Sequence, residues 1–256
     1  MRVGVYVDAF NLYYGGKGHC GASTQGWRWL DVRAFSEAVI NTYLHRATAQ
    51  GWNGAAIWGN ATIDRLVYCT APISAASDPT GSQHQDAYIK ALLGSGSADK
   101  VERGYYQQKV KSAPLAVRGK NNKPQLVSSA WPIMVKDAAG VDVPNANFLV
   151  SYLHTEEKGS DVNVASHLLI DALTAQVDAV MIISNDSDLR FPVEHVRTLM
   201  PTAVVNPSTG FTAGALQIPK LDIPTSDHWN WQVASTHFTS NQLPPTVGTI
   251  TRPVGW

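Results

Sequence analysis

The chain has 256 residues, 44% of them hydrophobic, and its 20 basic and 20 acidic residues leave no net charge. This length fits one large domain or two small ones, and the balanced charge excludes a globally basic nucleic-acid-binding protein, so any such surface has to be local. Two cysteines exclude a disulfide framework and a zinc-cysteine site, and no apolar run approaches the ~20 residues that span a bilayer, so we expect a soluble, cytoplasmic protein.

The first part of the chain predicts strands and helices. Residues 2–7 form an almost continuous apolar run, which is typical of a strand buried on both faces, and Asp8 follows it at once. Asp31 predicts a helix N-cap, because apolar residues at helical spacing follow it. In chain order we predict a strand at 2–7, a Gly- and Trp-rich loop at 15–29, a helix at 31–47, a strand at 62–69 and a helix from Asp78 to about Gly94.

The second part of the chain begins with a segment that is harder to assign. Residues 101–136 alternate in polarity and carry Gly and Pro breaks, which favours a β-ribbon or a loop over a helix. Further on we predict a strand at 147–153, a helix at 161–175, a strand at 179–183, a helix at 188–199 and a strand at 202–205. Strands that alternate with helices imply an α/β fold with a mainly parallel sheet. We expect one domain over 1–221 with an inserted basic segment at about 100–140, and an irregular C-terminal extension at 222–256 that packs on it.

Two acidic residues stand at or just after the ends of apolar runs that are far apart in the chain. Asp8 ends the run at 2–7, and Asp186 follows the run at 179–183. Ligands bind at the carboxyl edge of the sheet in open α/β folds, so we expect both acids in one crevice. Like charges repel, and carboxylates that gather in such a place typically hold a divalent cation or share a proton.

Asp161 and Asp188 add carboxylates to the same crevice under this hypothesis, but each has a structural alternative. Both stand where a helix is predicted to begin, and an acid there is favoured by capping and by the helix dipole. Asn11 could form an Asx turn, or it could orient a metal-bound water or a phosphate oxygen. Ser184 and Ser187 could bind the carboxylates or a phosphate, or they could satisfy their own loop.

Three segments of the chain resemble the NYN family, a branch of the PIN-like nuclease superfamily. They are residues 5–13 with Val-Tyr-Val-Asp-Ala-Phe-Asn-Leu-Tyr, residues 157–165 with Glu-Lys-Gly-Ser-Asp-Val-Asn-Val-Ala, and residues 182–189 with Ile-Ile-Ser-Asn-Asp-Ser-Asp-Leu. Their order and spacing also match the family, over most of residues 1–206. The resemblance implies a PIN-like three-layer α/β/α sandwich and the hydrolysis of RNA. It also implies a site for Mg²⁺ or Mn²⁺ formed by Asp8, Asp161, Asp186 and Asp188, with Asn11 beside it.

Two positions depart from the family pattern. Many members carry glycine where this chain has Asn185, and many carry an acid where it has His167. His167 could weaken a second metal site or shift the pH optimum. It could equally be a core histidine whose hydrogen bonds are satisfied, and we favour that interpretation slightly.

The predicted insertion contains a basic segment without acids, in which aromatic residues lie among the cations. In a chain of zero net charge, so one-sided a stretch favours RNA contact over a solvated loop that is basic by chance. We predict that Lys109, Lys111 and Lys120 bind the RNA. The segment at 103–136 contains Arg103, Lys109, Lys111, Arg118, Lys120, Lys123 and Lys136, together with Tyr105, Tyr106 and Trp131.

The sequence therefore predicts a metal-dependent, single-strand-preferring endoribonuclease that uses Mg²⁺ or Mn²⁺ and leaves a 5′-phosphate and a 3′-hydroxyl. Its expected partner is RNA, and no membrane contact is expected. The sequence is compatible with a homodimer. The first alternative is an RNA-binding module on the same fold with little or no cleavage. The second is a phosphatase of the haloacid dehalogenase type, although Phe10 occupies the position where that chemistry needs a second acid.

Overall fold

The computed structural model describes residues 1–130, 132–219 and 222–256, and the chain divides into two compact units. The first unit comprises Met1–Tyr105 and Glu157–Trp256, and the second comprises Tyr106–Glu156. In chain order the elements are β1 (Arg2–Asp8), α1 (Ala9–Cys20), α2 (Val32–Gln50), α3 (Gly54–Trp58), β2 (Thr62–Thr70), α4 (Pro79–Ser95), β3 (Lys100–Arg103), β4 (Tyr105–Pro114), β5 (Ala116–Arg118), β6 (Pro124–Leu126), β7 (Leu149–Lys158), α5 (Ser160–Leu173), β8 (Ala179–Ile183), α6 (Arg190–Arg197), β9 (Thr202–Asn206), β10 (Trp229–Gln232), α7 (Ser235–Thr239), β11 (Thr246–Val247) and β12 (Ile250–Thr251).

A six-stranded sheet whose strands all run parallel forms the centre of the first unit. Its strand order is β10-β9-β8-β1-β2-β3, so β1 and β8 lie side by side in the middle. Every residue of β8 is buried, and so is β1 after Arg2. Continuous burial of this kind is typical of parallel strands with helices on both faces, which explains why these two runs are apolar almost throughout.

Helices cover both faces of this sheet. Successive residues of β1 point to opposite faces, so Val5 joins one hydrophobic core and Tyr6 joins the other. Helix α2 contributes Phe35 to the first core, and helix α5 contributes Leu168 to the second. The first unit is therefore an α/β fold with a three-layer α/β/α arrangement, which confirms the predicted fold class.

The register of the sheet brings the carboxyl ends of four strands to one edge. Asp8 lies opposite Cys69 of β2, and Cys69 lies opposite Glu102 of β3. On the other side of β1, Val7 lies opposite Ile183, the last residue of β8. The chain segments that follow β1 and β8 therefore leave the sheet side by side, as the pattern of the sequence predicts.

Helix α1 extends into the stretch that the sequence predicts as a loop. The predicted loop at 15–29 is wrong over its first residues, because α1 ends at Cys20. A Cβ atom on Gly15 would lie 2.2 Å from the carbonyl oxygen of Pro207, and one on Gly16 would lie 2.7 Å from the ring of Trp27. These glycines are therefore present because the helix packs closely against its neighbours, and they do not mark a turn.

The C-terminal segment adds the sixth strand to the sheet. The segment at 222–256 belongs to the first unit but is not irregular throughout as expected, because β10 pairs with β9 and helix α7 follows it. Trp229 of β10 is 1% exposed, and its ring stacks on Tyr43 with the ring centroids 4.3 Å apart. A strand of four residues is too short to show a clear periodicity in the sequence. Burial of its tryptophan against Tyr43 holds the strand at the edge of the sheet.

The other predicted elements are present with small shifts of their ends. Asp31 caps α2 as predicted, because its carboxylate accepts from the backbone N–H groups of Arg33 and Ala34, each at 3.1 Å. Strand β7 runs from Leu149 to Lys158, beyond the predicted end at residue 153. Its length follows from pairing with β4, which the pattern of a single segment does not reveal.

The second unit consists of short ribbons, which confirms the β-ribbon interpretation. Strands β5 and β6 pair antiparallel, and β4 pairs with β7. The unit carries six Lys and Arg against three Asp and Glu, a net charge of +3. The Nζ atoms of Lys109 and Lys111 lie 3.9 and 3.8 Å from Oε2 of Glu156, so two lysines share one carboxylate. Lys120 lies in an exposed turn, and Trp131 lies outside the described residues.

In the part of the chain that the structure describes, no helix has both the length and the apolar character needed to cross a membrane. Both cysteines are free thiols: Cys69 is buried in the sheet, and Cys20 at the end of α1 is partly exposed.

Candidate functional site

Asp8 is the last residue of β1 and the N-cap of α1, and three donors hold its carboxylate. Oδ1 accepts from the backbone N–H of Asn11 at 3.0 Å, while Oδ2 accepts from the Asn11 amide at 2.5 Å and from the Ser184 hydroxyl at 2.9 Å. A carboxylate has about four lone-pair directions, so these bonds leave room for one further ligand. Burial raises the pKa of Asp8, the hydrogen bonds lower it, and the charge of Asp186 adds to the rise.

Asn11 and Ser184 join the end of β1 to the turn after β8. Oδ1 of Asn11 accepts from the backbone N–H of Asn185 at 3.2 Å, and Oγ of Ser184 accepts from the backbone N–H of Asp186 at 3.1 Å. Each side chain therefore donates to Asp8 and accepts from the turn. These contacts make both residues positioning residues for the carboxylates, and they favour that role over direct contact with a phosphate.

The turn after β8 carries two of the predicted aspartates. Oδ1 of Asp186 accepts from the backbone N–H of Asp188 at 3.0 Å and caps a short 3₁₀ turn. Ser187 and Asp188 are exposed. Leu189 is the N-cap of helix α6, so the alternative that Asp188 serves as a helix cap does not hold.

Asn185, at a position where many NYN proteins carry glycine, uses its side chain to hold a neighbouring loop. Its amide nitrogen lies 3.3 Å from Oγ of Ser208 and 3.2 Å from the carbonyl oxygen of Phe211. Its amide oxygen accepts from the backbone N–H of Ala213 at 2.7 Å. Glycine has no side chain to make these bonds, so Asn185 fixes the position of the loop at 208–213 beside the turn.

Asp161 lies in the first turn of α5, where the charges of other acids raise the pKa of its carboxyl group. Its pKa is raised to about 6, in the first place by burial. The remaining contributions come from four carboxylates, and each of them raises the pKa further. In decreasing order of effect these are Asp8, Asp186, Glu157 and Asp188. The structure therefore places the other three predicted aspartates within electrostatic range of Asp161.

A different acid satisfies the beginning of helix α5. The N-cap is Gly159, with a φ angle of 96° and no side-chain cap. Oε1 of Glu157 accepts from the backbone N–H of Ser160 at 3.2 Å, and Oε2 accepts from the Ser160 hydroxyl at 2.7 Å. The carboxylate of Asp161 is therefore not required as a cap. Sequence reasoning assigned no role to Glu157, because a glutamate before Gly-Ser carries no signal of its own.

Glu102 brings a further acid to the same edge, and sequence reasoning missed it. Its Oε1 lies 2.5 Å from Nζ of Lys100 and 3.0 Å from Nε2 of His167. Hydrogen bonds from Lys100 and from His167, in that order, lower the pKa of Glu102. His167 therefore has a hydrogen-bonding partner, which confirms the interpretation of a satisfied histidine. The four-residue strand β3 is too short to mark Glu102 in the sequence.

Cys69 lies among these acids and remains a neutral thiol. Its pKa is raised to about 12 by burial and by the charges of Glu102, Asp8 and Asp161. Nucleophilic and metal-binding cysteines need the thiolate, and such surroundings suppress it. The chemistry of this edge of the sheet therefore belongs to its carboxylates.

The donor set at this edge suits a divalent cation that keeps part of its water shell. Among the described residues, no group of three or more His, Cys, Asp and Glu side chains is placed to enclose a metal ion. Mg²⁺ usually retains several waters and takes only one or two carboxylates. The raised pKa of Asp161 reflects negative charge that a cation would neutralise. Hard carboxylate oxygens with surplus charge fit Mg²⁺ or Mn²⁺ bound partly through water.

Comparison with known proteins gives two distant likenesses. No family model matches the chain. It is 26% identical over 253 residues to the 6-hydroxy-3-succinoylpyridine 3-monooxygenase HspA of Pseudomonas putida (strain DSM 28022 / S16), across 95% of this chain and 70% of that protein. A solved structure of a protein of unknown function from Vibrio parahaemolyticus RIMD 2210633 is similar with a TM-score of 0.40 and 16% identity, over 93% of this chain and 94% of that one.

Proposed function

We propose that the protein is a divalent-metal-dependent endoribonuclease of the NYN family that hydrolyses phosphodiester bonds of mainly single-stranded RNA. One observation carries the proposal. Asp161 has a pKa of about 6, which the charges of Asp8, Asp186, Glu157 and Asp188 all help to raise. Like charges held so close together at the carboxyl edge of a parallel sheet are typical of a site for a cation and a phosphorylated ligand.

In this proposal four aspartates hold Mg²⁺ or Mn²⁺, some of them through the ion's own water molecules, and the neighbouring polar residues position them. A bound ion of this kind neutralises charge on the phosphoryl oxygens and activates a water molecule. Asn11 and Ser184 fix the orientation of the Asp8 carboxylate, and Ser184 also holds the turn through the N–H of Asp186. The residues that would hold the ion are Asp8, Asp161, Asp186 and Asp188.

The basic second unit is the proposed contact for the RNA backbone. Its net charge of +3 contrasts with the first unit, where 14 Lys and Arg stand against 17 Asp and Glu. Lys109 and Lys111 share the single carboxylate of Glu156, which neutralises one of their two positive charges. Lys120 is exposed and does not share this carboxylate, so we give it the largest share of phosphate binding among the three. A cytoplasmic location belongs to the same proposal, since both cysteines are free thiols.

The proposal is tested by cleavage of a labelled single-stranded RNA in Mn²⁺, in Mg²⁺ and in EDTA. We expect cleavage that needs the ion and leaves 5′-phosphate ends, which a phosphate-dependent exonuclease then degrades. The Asp186→Asn variant, purified in parallel, should be inactive, which separates the protein's own activity from a contaminating ribonuclease. Cleavage that persists in EDTA or in the variant would contradict the proposal.

An RNA-binding module with little or no cleavage is a second candidate, which His167 favours. Many members of the family carry an acid at this position, whereas His167 is hydrogen-bonded to Glu102. If the second metal position needs that acid, the chain would bind RNA without cutting it. Equal RNA binding in EDTA and Mn²⁺, with intact RNA recovered after long incubation, would identify this function.

Oxygenation of a hydroxylated pyridine is a third candidate, which the name of the Pseudomonas relative suggests. The alignment with that protein covers 95% of this chain at 26% identity, so the likeness is not confined to one segment. The test is incubation with 6-hydroxy-3-succinoylpyridine, ¹⁸O₂, and reduced nicotinamide and flavin cofactors. Mass spectrometry that finds ¹⁸O in the product would favour this function over phosphodiester hydrolysis.

A further inference from the structure

Helix α1 exposes a row of aromatic rings that begins two residues after Asp8. Phe10, Tyr13 and Tyr14 are 49%, 43% and 50% exposed. Phe10 and Tyr14 are four residues apart, so they lie on the same face of the helix, with their ring centroids 4.5 Å apart. The Tyr13 ring meets the Tyr14 ring edge-on at 5.4 Å. The three rings therefore form one continuous exposed surface, which we call the α1 aromatic face.

Apart from Tyr13, whose ring contacts the buried Trp27, the packing of α1 does not require this face. The helix buries its opposite side, where Leu12, Gly15 and Gly16 contact the rest of the first unit. Exposed apolar side chains that occur singly are ordinary, but three adjacent aromatic rings on one helix are not. Rings that face water add little to the stability of the fold, so the α1 aromatic face is a candidate binding surface.

The charge of this region fits a polyanion. Residues 9–30 contain no Asp and no Glu, although the first unit as a whole has more acids than bases. Nζ of Lys17 lies 5.5 Å above the Tyr14 ring, one turn beyond it on the same helix. At the other end of the face the Tyr13 ring lies 5.4 Å from Trp27, and the guanidinium of Arg28 lies 4.5 Å above that indole. Cations thus border the rings on both sides.

We infer that the α1 aromatic face is a stacking surface for the bases of single-stranded RNA next to the cleavage site. This inference rests on the proposed function. Bases stack on Phe10 and Tyr14, and Lys17 contacts a phosphate. Aromatic rings between cations are the means by which proteins hold single strands without reading their sequence. Bases of a duplex are already stacked on one another, so the surface also gives a physical reason for a preference for single strands.

The position of the face relative to Asp8 sets which nucleotides it would hold. Asp8 is the N-cap of α1, and Phe10 stands in the first turn of that helix. The Asn11 side chain, between Phe10 and Tyr14 in the chain, donates to the Asp8 carboxylate. A strand whose phosphate lies at the carboxylates would therefore place the adjoining bases on Phe10 and then on Tyr14.

The experiment measures binding of two fluorescent probes in EDTA, so that cleavage plays no part. One probe is a short oligouridine, and the other is a ribose-phosphate chain of the same length without bases. For the double variant Phe10→Ala and Tyr14→Ala we expect affinity for the oligouridine to fall by about 5- to 150-fold per lost base contact, since such contacts are worth roughly 1–3 kcal/mol. Affinity for the baseless chain should stay unchanged.

Two controls separate stacking from other effects. Tyr14→Phe keeps the ring and should keep wild-type affinity, whereas loss of affinity would assign the contact to the hydroxyl and contradict stacking. Leu173→Ala removes an exposed apolar side chain, 62% exposed, at the far end of α5 and should leave both probes unaffected. Lys17→Ala should weaken both probes and reduce the salt slope by about 0.7, as expected for one phosphate contact on a single strand.

The outcomes distinguish this inference from the proposed function. If the double variant binds both probes as the wild type does, the stacking surface is wrong even when the wild type cleaves RNA. If stacking is found but no condition gives metal-dependent cleavage, the ribonuclease proposal fails and the surface stands. If sedimentation shows that the double variant changes the oligomeric state and not the affinity for oligouridine, the face is a contact between protein chains and the inference is overturned.

Discussion

The Ser184 hydroxyl donates to Oδ2 of Asp8 at 2.9 Å and accepts from the backbone N–H of Asp186 at 3.1 Å. One buried side chain therefore links the end of β1 to the turn after β8, which are far apart in the chain. Because Ser184 is fully buried, no solvent replaces these bonds when they are broken. The relative position of two of the proposed metal ligands depends on this hydroxyl.

We expect Ser184→Ala to destabilise the fold by about 1–3 kcal/mol, because it leaves the partly buried N–H of Asp186 without an acceptor. The pKa of Asp8 should rise further, since the Ser184 hydrogen bond is one of the contributions that lower it. Urea unfolding measures the stability. Ser187→Ala is the matched control, because this exposed serine lies in the same turn. Equal stability of the two variants would show that Ser184 does not hold the turn.

Asp186→Asn is the cleanest test of the carboxylates in catalysis. The amide oxygen of Asn can still accept from the N–H of Asp188, so the turn should stay folded. Loss of one metal ligand should reduce the cleavage rate by thousands-fold, or at least several kcal/mol of transition-state stabilisation. Asp8→Asn should also abolish cleavage, but it replaces an acceptor of three hydrogen bonds and should lower the melting temperature as well.

The control for this rate measurement is Asp64→Asn, which removes an exposed acid near the start of β2, at the opposite edge of the sheet. It should cleave RNA at the wild-type rate. Circular dichroism at the assay temperature checks that each variant is folded. Wild-type activity of Asp186→Asn would remove this residue from the site and with it the proposed mechanism.

The fold and the main acids could be predicted because their signals are local. The apolar runs of β1 and β8 identify buried strands, and Asp8 is the last residue of the first while Asp186 stands three residues after the second. Parallel strands that carry helices between them place those ends at one edge. No long-range contact has to be known for this step, which is why the crevice of aspartates is visible in the sequence.

The remaining residues of the site depend on tertiary contacts that no local pattern contains. Glu102 joins the edge because β3 pairs with β2, and its partner His167 comes from a distant helix. Glu157 accepts from Ser160 at the start of α5, next to Gly159 with its φ angle of 96°. Trp229 is buried by stacking on Tyr43 of α2. In each case the deciding feature is either a contact with a residue distant in sequence or a single backbone angle.

The raised pKa of Asp161 makes the stability of the metal-free protein depend on pH. A folded-state pKa of about 6, against an ordinary value of 3.8, contributes stability that is fully present below pH 3.8 and is lost as the pH rises through 6. Asp161→Asn cannot ionise, so in chelator it should melt at a higher temperature than the wild type at neutral pH. The difference should shrink as the pH falls towards about 4.

Comparison of the two proteins at each pH isolates Asp161 from the other titrating groups. Burial lowers the pKa of His228 and of His237, so their protonation destabilises the fold as the pH falls, equally in both proteins. Asp161→Asn should also reduce cleavage. A variant that is less stable than the wild type at neutral pH in chelator would show that the acids do not repel one another at this position.

The basic second unit should contribute affinity without sequence preference. Replacement of Lys109, Lys111 and Lys120 by alanine should weaken binding similarly for all single-stranded RNAs and flatten the salt dependence, by about 0.7 per lost contact. Lys120→Ala alone should show most of this change, because the other two lysines share Glu156. Lys90→Ala, a lysine of α4 that pairs with Asp86, is the control. An unchanged salt slope would show that these lysines do not contact RNA phosphates and that the segment is only a solvated ribbon.

A divalent cation should stabilise the protein, and Asp186 should be required for the effect. In the absence of metal the carboxylates around Asp161 repel one another, and a cation bound among them reverses the sign of that interaction. The ion binds the folded site and hardly the unfolded chain, so at a hundredfold excess over its dissociation constant it adds about 2.7 kcal/mol to the free energy of unfolding. Asp186→Asn should raise the melting temperature slightly in chelator, because one repelling charge is gone, and it should reduce the rise that Mn²⁺ causes.

Thermal melts of the wild type, Asp186→Asn and Asp64→Asn in chelator and in Mn²⁺ measure both effects, and Asp64→Asn should follow the wild type. If millimolar Mn²⁺ does not raise the melting temperature of the wild type, and Asp186→Asn is destabilised in chelator, the aspartates do not form a shared cation site.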